Sequence, residues 1–351
     1  MKRLLTILII IIFAFSGCKK EKDEPAIVGT PPVSVDEENK DDEISIDDGK
    51  IQKKEGQPSP LSGIYVSEDR INKRVVGVMF DNHPSARWQA GLKDAEIVYE
   101  FPVEAPYTRY FGLYLINSPE SIGPIRSARP YFITKALEFD AVYVHVGGSE
   151  QAKSDIKSLK IADIDGLTSS NKVFWRNKNK KAPNNLYSSM EVLRQTQEDK
   201  GYNLTSNFKS FKFNEDDEDI EGYSGKSILI NYMRNNSTMY TYNEDNKVYL
   251  RQKDGKDHID ESDGSQIVAK NIIIQEVNTK VLDNEGRLEV DLIGEGTGKF
   301  LTNGKCIDIK WVKKNRNEKT YYYDANGEEI VLNPGVTWIQ IIKKNSDIVI
   351  E

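Results

Sequence analysis

Two arginines three positions apart, Arg126 and Arg129, lie in the segment IGPIRSARPYF, which covers residues 122–132. Pro124 and Pro130 flank them, and proline fixes its own φ and disfavours helix in the residue before it. The segment is therefore predicted to be a rigid loop that ends where a helix begins at Pro130. Its two guanidinium groups form a preorganised fork for a carboxylate or a phosphate. The target is either an external anion or an internal glutamate, and both remain open.

The motif FDNHP places Asp81, Asn82 and His83 at the end of an apolar stretch that is predicted to be a buried strand. In α/β sheets, ligands bind at the carboxyl ends of the strands. Asp and Asn also hydrogen-bond their own backbone in turns, so a simple turn before the proline explains the motif equally well. His83 is the residue that the turn explains least.

A second histidine, His145, lies inside the predicted strand AVYVHV and is followed by two glycines and Ser149. Ser149 is the predicted N-cap of a helix, whose free N–H groups could bind an anion. The alternatives are a plain strand-to-helix turn and a histidine that is satisfied within the core. If Tyr143 and His145 face the same side of the strand, they line the same cleft as His83.

The predicted hairpin EFPVEAPYTRYF contains Glu100, Glu104 and Arg109. Charged side chains in an apolar hairpin are costly unless they are paired, which favours a structural bridge between a glutamate and the arginine. A general acid/base pair of Glu100 and Glu104 stays open, because the sequence does not give their separation.

The stretch WRNKNKKAPNNLY ends in Asn184, Asn185 and Tyr187 after a basic run at residues 176–181. The run is either a solvated loop or a surface that suits an anionic wall polymer. Tyr187 is either a stacking face for a sugar or a core residue.

No metal site and no cofactor are predicted. The chain has three histidines, of which His83 and His145 could join Asp81 in a facial triad, but their spacing fits no short motif. Cys306 has no histidine near it in the sequence, and Ser149 lacks the turn motif of a serine nucleophile.

The elements that position these residues are predicted to form an α+β fold. Residues 61–205 contain short apolar runs rich in β-branched and aromatic residues at 75–80, 95–101, 107–116 and 141–146, which predict strands. Helical spacing at 129–140 and 149–160 lies between or after them. This part is predicted to be a mixed α/β domain.

Residues 222–351 are predicted to be a second, mostly β domain. The strand period recurs along it, and Asn303-Gly304 and Asn326-Gly327 are hairpin signals. The acidic stretch NEDDEDIEG separates the two domains.

The chain begins with a predicted lipoprotein signal peptide, residues 1–17. A basic start, an apolar run at residues 4–15 and the sequence Phe-Ser-Gly lead to Cys18, the predicted site of lipidation by an acyl chain such as palmitate. Residues 18–60 are predicted to be a disordered acidic linker, because they contain no aromatic residue and few apolar ones. The linker carries most of the formal charge of −7, so the folded part is nearly neutral. Nucleic acid is excluded as a partner by both compartment and charge.

Several long stretches resemble the YerB-like bacterial lipoproteins: VGVMFDNHPSARWQAGLKDAEIVYEFPVEAPYTRYFGLY, IGPIRSARPYF, YVHVGGSEQA, FWRNKNKKAPNNLYSS, GTGKFLTNGKCIDIKWVKK and YDANGEEIVLNPGVTWIQII. The resemblance covers nearly everything after the linker. It implies a membrane-anchored lipoprotein of a low-GC Gram-positive bacterium, with an N-terminal domain of unknown function, a distinct C-terminal domain and a loose link to envelope growth. It implies no particular reaction. The chain departs from the family at Asn184, where these proteins usually have His.

The leading hypothesis is an extracytoplasmic lipoprotein that binds an anionic envelope ligand, such as a cell-wall polymer, or a protein of wall synthesis. The predicted cleft is lined by Asp81, Asn82, His83, Glu104, Arg109, Arg126, Arg129, His145, Ser149, Asn185 and Tyr187. The competing hypothesis is a hydrolase or lyase that acts on peptidoglycan with His83 or His145 as general base. A third hypothesis is a scaffold whose β domain makes the contacts.

Overall fold

The computed structural model describes residues 54–351. The predicted signal peptide, the lipidation of Cys18 and nearly all of the predicted linker lie outside the described residues. The helices are α1 (Glu68–Ile71), α2 (Pro130–Glu138), α3 (Glu150–Ser158) and α4 (Met190–Asp199), with 3₁₀ turns at Pro84–Ala86 and Leu92–Asp94.

The strands, in chain order, are β1 (Gln57–Pro58), β2 (Tyr65–Val66), β3 (Val76–Asp81), β4 (Ile97–Pro102), β5 (Thr108–Tyr114), β6 (Val142–His145), β7 (Asp163–Asp165), β8 (Trp175–Arg176), β9 (Leu186–Tyr187), β10 (Lys212–Phe213), β11 (Tyr223–Ser224), β12 (Ser227–Met233), β13 (Asn236–Asn243), β14 (Val248–Lys253), β15 (Lys256–Asp257), β16 (Val268–Ala269), β17 (Asn271–Val277), β18 (Thr279–Val281), β19 (Leu288–Val290), β20 (Gly294–Thr302), β21 (Lys305–Lys313), β22 (Tyr321–Tyr323), β23 (Val331–Leu332), β24 (Thr337–Lys343) and β25 (Asp347–Ile350).

A central sheet of eleven strands runs through both halves of the chain. Its order is β11-β21-β20-β17-β24-β4-β5-β3-β6-β7, with β22 also paired to β21. The halves join where β24 pairs in parallel with β4, in the register Thr337↔Ile97 to Gln340↔Glu100. The predicted segments 61–205 and 222–351 therefore share one sheet. All four helices precede residue 205, so the predicted fold class, a mixed α/β part followed by a mostly β part, is confirmed.

Each face of the central sheet is covered by a different layer. Helices α2 and α3 pack on one face, where Phe132 and Ala152 join the core. A six-stranded sheet in the order β15-β14-β13-β12-β25, with β16 paired to β14, packs on the other face together with α4. Because both faces are covered, every residue of β3, β4 and β5 is buried, as the nearly continuous apolar run of β3 predicted.

Local sequence explains where elements begin and turn. Pro130 occupies the first turn of α2, where its missing N–H costs no hydrogen bond. The Ser189 side chain accepts from the Val192 N–H and so caps α4. Asn303 and Gly304 connect β20 to β21 with φ angles of 48° and 72°, the left-handed pair that a tight hairpin requires.

A buried ion cluster holds the second sheet against the central sheet. Glu100 of β4 accepts from Arg251 at 2.6 Å and from Lys253 at 3.0 Å, and all three side chains are fully buried. Both cations project from β14. The guanidinium group of Arg251 also lies 4.2 Å from the ring centroid of Trp338. Burial acts to raise the pKa of Glu100, but the charges of Lys253 and Arg251 outweigh it and lower this pKa to about 2.

A second buried cluster links helix α2 to strand β21 on the opposite face. Glu138 lies 2.9 Å from the ammonium groups of both Lys135 and Lys313, and it accepts from the Thr320 N–H at 2.6 Å. Burial opposes its ionisation, yet the two lysines lower the pKa of Glu138 to about 2. Each cluster thus ties an N-terminal element to a C-terminal one.

We expect Glu100→Gln to lower the free energy of unfolding by about 3–5 kcal/mol, because it leaves Arg251 and Lys253 buried without their counter-charge. Urea unfolding followed by circular dichroism measures the change. Glu150→Gln is the matched control, since Glu150 pairs with Lys153 at the exposed surface and its loss should change the free energy of unfolding very little. If both variants lost the same small amount of unfolding free energy, Glu100 would not be the contact that holds the two sheets together.

The stability of the fold should also depend on pH in a defined way. A carboxyl group whose pKa is lower in the folded than in the unfolded state stabilises the fold above the unfolded value, here 4.5. That stabilisation is lost as the pH falls toward the folded value of about 2. The melting temperature of the wild type should therefore fall through this window, and more steeply than that of Glu100→Gln.

Candidate functional site

The predicted site residues meet at one edge of the central sheet because three strands end there. Strands β3 and β4 are both antiparallel to β5, and β6 is parallel to β3, so their carboxyl ends lie together. Asp81 ends β3, His145 ends β6, and Glu104 follows β4 closely. Arg109 is the second residue of β5, which starts at this edge.

The loop that carries the two arginines fills the space between the ends of β3 and β6. The Arg126 N–H donates to the Met79 carbonyl at 2.9 Å, and the Arg126 carbonyl accepts from the Val146 N–H at 3.1 Å. Ala128 forms a bridge with Gly148. Backbone hydrogen bonds on both sides thus hold the loop between the two strand ends.

Arg129 is paired with an internal glutamate. Its Nε and Nη2 atoms lie 2.6 and 2.5 Å from Oε1 of Glu104, and the other oxygen of Glu104 lies 3.4 Å from Nη2 of Arg109. Burial acts to raise the pKa of Glu104, but the charges of Arg109 and Arg129 lower it overall. Burial and the neighbouring charge of Arg129 lower the pKa of Arg109 to about 10. Glu104 therefore bridges two guanidinium groups that would otherwise repel each other.

Arg126 points to a different carboxylate. Its Nε atom lies 3.3 Å from Oδ2 of Asp81, without the alignment of a hydrogen bond, and the side chain is 27% exposed. Oδ2 of Asp81 also accepts from the Asn184 side-chain amide at 2.5 Å. Asn184 is thus a direct partner of the strand-end aspartate. Glu100, the other glutamate considered for the arginines, pairs with the second sheet instead.

His145 is enclosed by acceptors. Its Nδ1 lies 2.9 Å from the Gly147 carbonyl, its Nε2 lies 3.2 Å from Oδ2 of Asp163, and its ring stacks on Tyr143 with centroids 5.0 Å apart. The side chain is only 2% exposed. This environment matches the alternative of a histidine that is satisfied within the fold.

Asn82 and His83 form a turn after β3. Nδ1 of His83 accepts from the Ser85 N–H at 3.1 Å, and its ring packs on Tyr107, 4.7 Å between centroids. The Asn82 side chain donates to the Thr108 hydroxyl at 2.7 Å. The turn explanation accounts for Asn82. His83 is half-buried, and its ring packs against the separate turn, between β4 and β5, that carries Glu104.

Ser149 performs the capping role that its position predicted. Its hydroxyl accepts from the Ala152 N–H at 3.3 Å at the start of α3. Before it, Gly147 has a φ of 57°, and its N–H donates to Oδ1 of Asp165 at 2.7 Å.

Asn185 and Tyr187 lie in a separate network. The Tyr187 hydroxyl is 2.5 Å from Oε2 of Glu261, and the Lys180 ammonium contacts both groups, at 2.8 and 2.7 Å. Asn185 accepts from Arg176 at 2.7 Å. The basic run is thus partly tied to the fold, and within residues 54–351 Asn185 and Tyr187 form no hydrogen bond or ion pair with the arginine pair.

A cavity of about 260 Å³ opens beside Arg129, and we call it the Arg129 cavity. Of the predicted residues it contains Glu104, Arg129 and Ser149, while Arg109 lies behind Glu104. Its lining is Glu104, Ser127, Arg129, Gly148, Ser149, Glu285 and Arg287.

Sequence reasoning missed three lining residues. Ser127 lies between the two arginines, so the motif itself was the available signal. Glu285 and Arg287 belong to the hairpin of β18 and β19, where Arg287 pairs with Glu285 and with Asp283 at 3.1 Å. Nothing in the sequence relates that hairpin to the arginine loop, because its approach depends on the shared sheet.

The fold and the cavity define an α+β protein whose two sequence segments share one sheet and together line a charged cavity. Residues 61–203 match the family model "Protein of unknown function (DUF3048) N-terminal domain", and residues 228–339 match its C-terminal domain. The chain belongs to this family, and the resemblance to the YerB-like lipoproteins is confirmed.

One relative is "Putative lipoprotein YerB" from Bacillus subtilis (strain 168), 33% identical over 287 residues, which are 81% of this chain and 86% of that protein. The crystal structure of the YerB protein from Bacillus subtilis superimposes with a TM-score of 0.76 at 31% identity, covering 83% of this chain and 99% of that chain. The fold described above is therefore the fold of the family.

Between residues 54 and 351, no helix is both long and apolar enough to cross a membrane. Over the same residues, no group of three or more His, Cys, Asp or Glu side chains is arranged to hold a metal ion.

We expect His145→Leu to lower the free energy of unfolding by about 1–3 kcal/mol, because the Gly147 carbonyl and the Asp163 carboxylate lose a buried partner. His83→Leu, at a half-buried ring, should cost about 1 kcal/mol or less. Thermal unfolding of the two variants measures the difference. A His145 variant that melts with the wild type would show that the ring is not structural and would favour His145 as the general base of an enzyme.

Proposed function

We propose that this protein is a lipid-anchored lipoprotein on the extracytoplasmic face of the cell membrane that binds an anionic envelope group in the Arg129 cavity. The observation that carries the proposal is the meeting of Arg109 and Arg129 on one carboxylate at the wall of an open cavity. A phosphate or carboxylate is the group that such a pair of guanidinium groups recognises.

The backbone around the cavity supports the same charge preference. Arg129 is the N-cap residue of α2 and Ser149 that of α3, so both helices direct their N-terminal ends to this edge. Helix N-termini carry partial positive charge and free N–H groups. Gly148 lines the cavity and has no side chain to keep a ligand from the backbone. Arginine side chains and helix dipoles therefore act on an anion together.

Glu104 occupies the position that an external carboxylate would take. Its oxygen lies 2.5 Å from Nη2 of Arg129, on a turn whose next residues, Ala105 and Pro106, are exposed. A ligand anion therefore competes with Glu104 for Arg129. The other two charged residues of the lining neutralise each other, because Arg287 is paired with Glu285. Removing the charge of Glu104 should consequently strengthen anion binding.

Arg126 supplies an internal comparison. It belongs to the same rigid loop as Arg129, but it faces Asp81 and does not line the cavity. If phosphate binding reflected only the overall charge of the protein, replacing either Arg126 or Arg129 would weaken it by the same amount. If phosphate binds in the cavity, replacing Arg129 weakens binding and replacing Arg126 does not.

We expect Arg129→Ala to weaken the binding of inorganic phosphate at least tenfold, because it removes the bidentate donor of the cavity. Glu104→Gln should strengthen phosphate binding severalfold, and Arg126→Ala should leave it within about twofold. Isothermal titration of the purified full-length protein at fixed ionic strength measures all three. Equal affinities of the Arg129 and Arg126 variants would show that phosphate does not bind in this cavity.

The membrane anchor rests on Cys18 and its signal segment. With Cys18→Ser there is no thiol to acylate, so we expect the protein to leave the membrane fraction and to incorporate no labelled palmitate. Fractionation of cells expressing each form, with immunodetection of the protein, measures the shift. Cys306→Ser is the control, because Cys306 is buried in β21 and should have no effect on fractionation. Membrane retention of the Cys18 variant would contradict the lipid anchor.

A further inference from the structure

A groove lies at the end of the central sheet farthest from β7. It has a volume of about 640 Å³ and is formed by the segment before β11, the outer side of β21 and the turn after β22. We call it the acidic groove and define it by Glu218, Glu221, Ile307, Asp308, Glu328 and Ile330. It is lined only by C-terminal residues beyond 213, and it shares no residue with the Arg129 cavity.

The sheet edge that forms the floor of the groove is interrupted. On its outer side β21 pairs with β11 at Lys305 and Cys306, and with β22 from Lys310 onward. Asp308 lies between these two pairings. Within residues 54–351 its outer side has no strand partner.

The alternation of hydrogen bonds along β21 shows which of its backbone N–H and C=O groups lack a strand partner. Gly225 donates to the Gly304 carbonyl at 2.9 Å across the β11–β21 pair. In an antiparallel pair such bonds recur at every second residue. Cys306, Asp308 and Lys310 therefore direct their N–H and C=O groups outward. The groups of Cys306 and Lys310 face β11 and β22, whereas those of Asp308 face the groove.

The walls of the groove carry negative charge above an apolar base. Its lining contains no Lys, Arg or His. Asp308 and Glu329 pair with lysines outside the lining, whereas the carboxylates of Glu218, Glu221 and Glu328 form no ion pair within the described residues. Ile307 and Ile330 also line it, and Tyr223, whose hydroxyl donates to Asp308, is 45% exposed. Carboxylates without counter-ions attract cations and raise their local concentration.

We propose that the acidic groove binds an extended peptide segment of a partner protein in which Lys or Arg alternates with apolar residues. The peptide backbone pairs with the free N–H and C=O of Asp308 and so fills the gap between β11 and β22. Side chains on one face contact Ile307 and Ile330, and the basic side chains reach Glu221 and Glu328. The chemistry differs from that of the Arg129 cavity, so the proposal is independent of anion binding.

A peptide fits these observations better than the other cationic ligands. A metal ion would use carboxylates alone and leave both the apolar base and the open strand edge without a role. A polyamine would likewise make no use of the Asp308 backbone. Only an extended peptide uses the backbone groups, the apolar base and the charged walls together.

The test measures the fluorescence anisotropy of a labelled, N-acetylated hexapeptide of alternating Lys and Val with the purified full-length protein. We expect saturable binding that weakens with salt, and at least tenfold weaker binding to the double variant Glu221→Gln, Glu328→Gln. Both residues are exposed, so the variant should melt with the wild type. The matched control is Glu150→Gln, Glu191→Gln, which removes two exposed charges elsewhere and should bind as the wild type does.

Two further peptides separate strand pairing from simple charge attraction. A Lys-Val peptide with N-methylated backbone amides keeps its charge but cannot donate to the Asp308 carbonyl, so its binding should be at least tenfold weaker. The corresponding Glu-Val peptide should not bind. Equal binding of the methylated peptide, or equal binding by the two double variants, would overturn the proposal. Self-association of the protein that is abolished by the groove variant would also overturn it, because the occupant would then be a second copy of the chain.

Discussion

The buried carboxylate of Glu100 is the contact on which the arrangement of the two segments depends. It projects from β4 in the N-terminal part toward Arg251 and Lys253 in the C-terminal part, and no water reaches any of the three side chains. Removing such ions from water costs several kcal/mol each, and only close pairing with good geometry compensates. A small displacement of the second sheet would leave these charges unpaired, so the cluster specifies how the second sheet lies on the central one.

This constraint explains why the two family domains form one structural unit. The cluster at Glu138 repeats the same device on the opposite face, with Lys135 from α2 and Lys313 from β21. Between the two clusters, β24 pairs directly with β4 in the middle of the central sheet. The N-terminal segment alone would leave Glu100 and Glu138 without most of their counter-charges. Its strand-end edge, including the Arg129 cavity, is therefore positioned by C-terminal residues.

Opposite charges are also paired at the strand-end edge of the central sheet, but there the ion pairs are accessible to solvent. Glu104 lies near the surface between Arg109 and Arg129, and a cavity opens beside it. In the buried clusters an external anion has no access, so those pairs are structural. At the edge a ligand can reach the guanidinium group. The difference between a structural ion pair and a binding site is thus one of solvent access, which residue types do not reveal.

Local sequence predicted the elements well where hydrophobic periodicity was strong. The strand at 75–80 and the helix at 129–140 appear as β3 and α2 within a few residues of the expected bounds, and the Asn303-Gly304 hairpin is present. Helix α4 was not predicted, because only Met190 and Leu193 of its first turns pack into the core. Strand β20 was missed because glycines interrupt its pattern at 294, 296 and 298.

The amino-acid sequence was enough to predict the fold class, the loop between Pro124 and Pro130, the start of α2 and the cap at Ser149. These features follow from hydrophobic periodicity, φ preferences and capping, all of which act over a few residues. The meeting of Asp81 and His145 at one sheet edge depends on the parallel pairing of β3 with β6. The three-dimensional arrangement was needed to see that Arg129 pairs with Glu104, that Arg126 faces Asp81, and that Glu100 is buried against Arg251 and Lys253. Ion-pair choice depends on distance and dielectric environment, and both are set by packing between segments that are far apart in the chain.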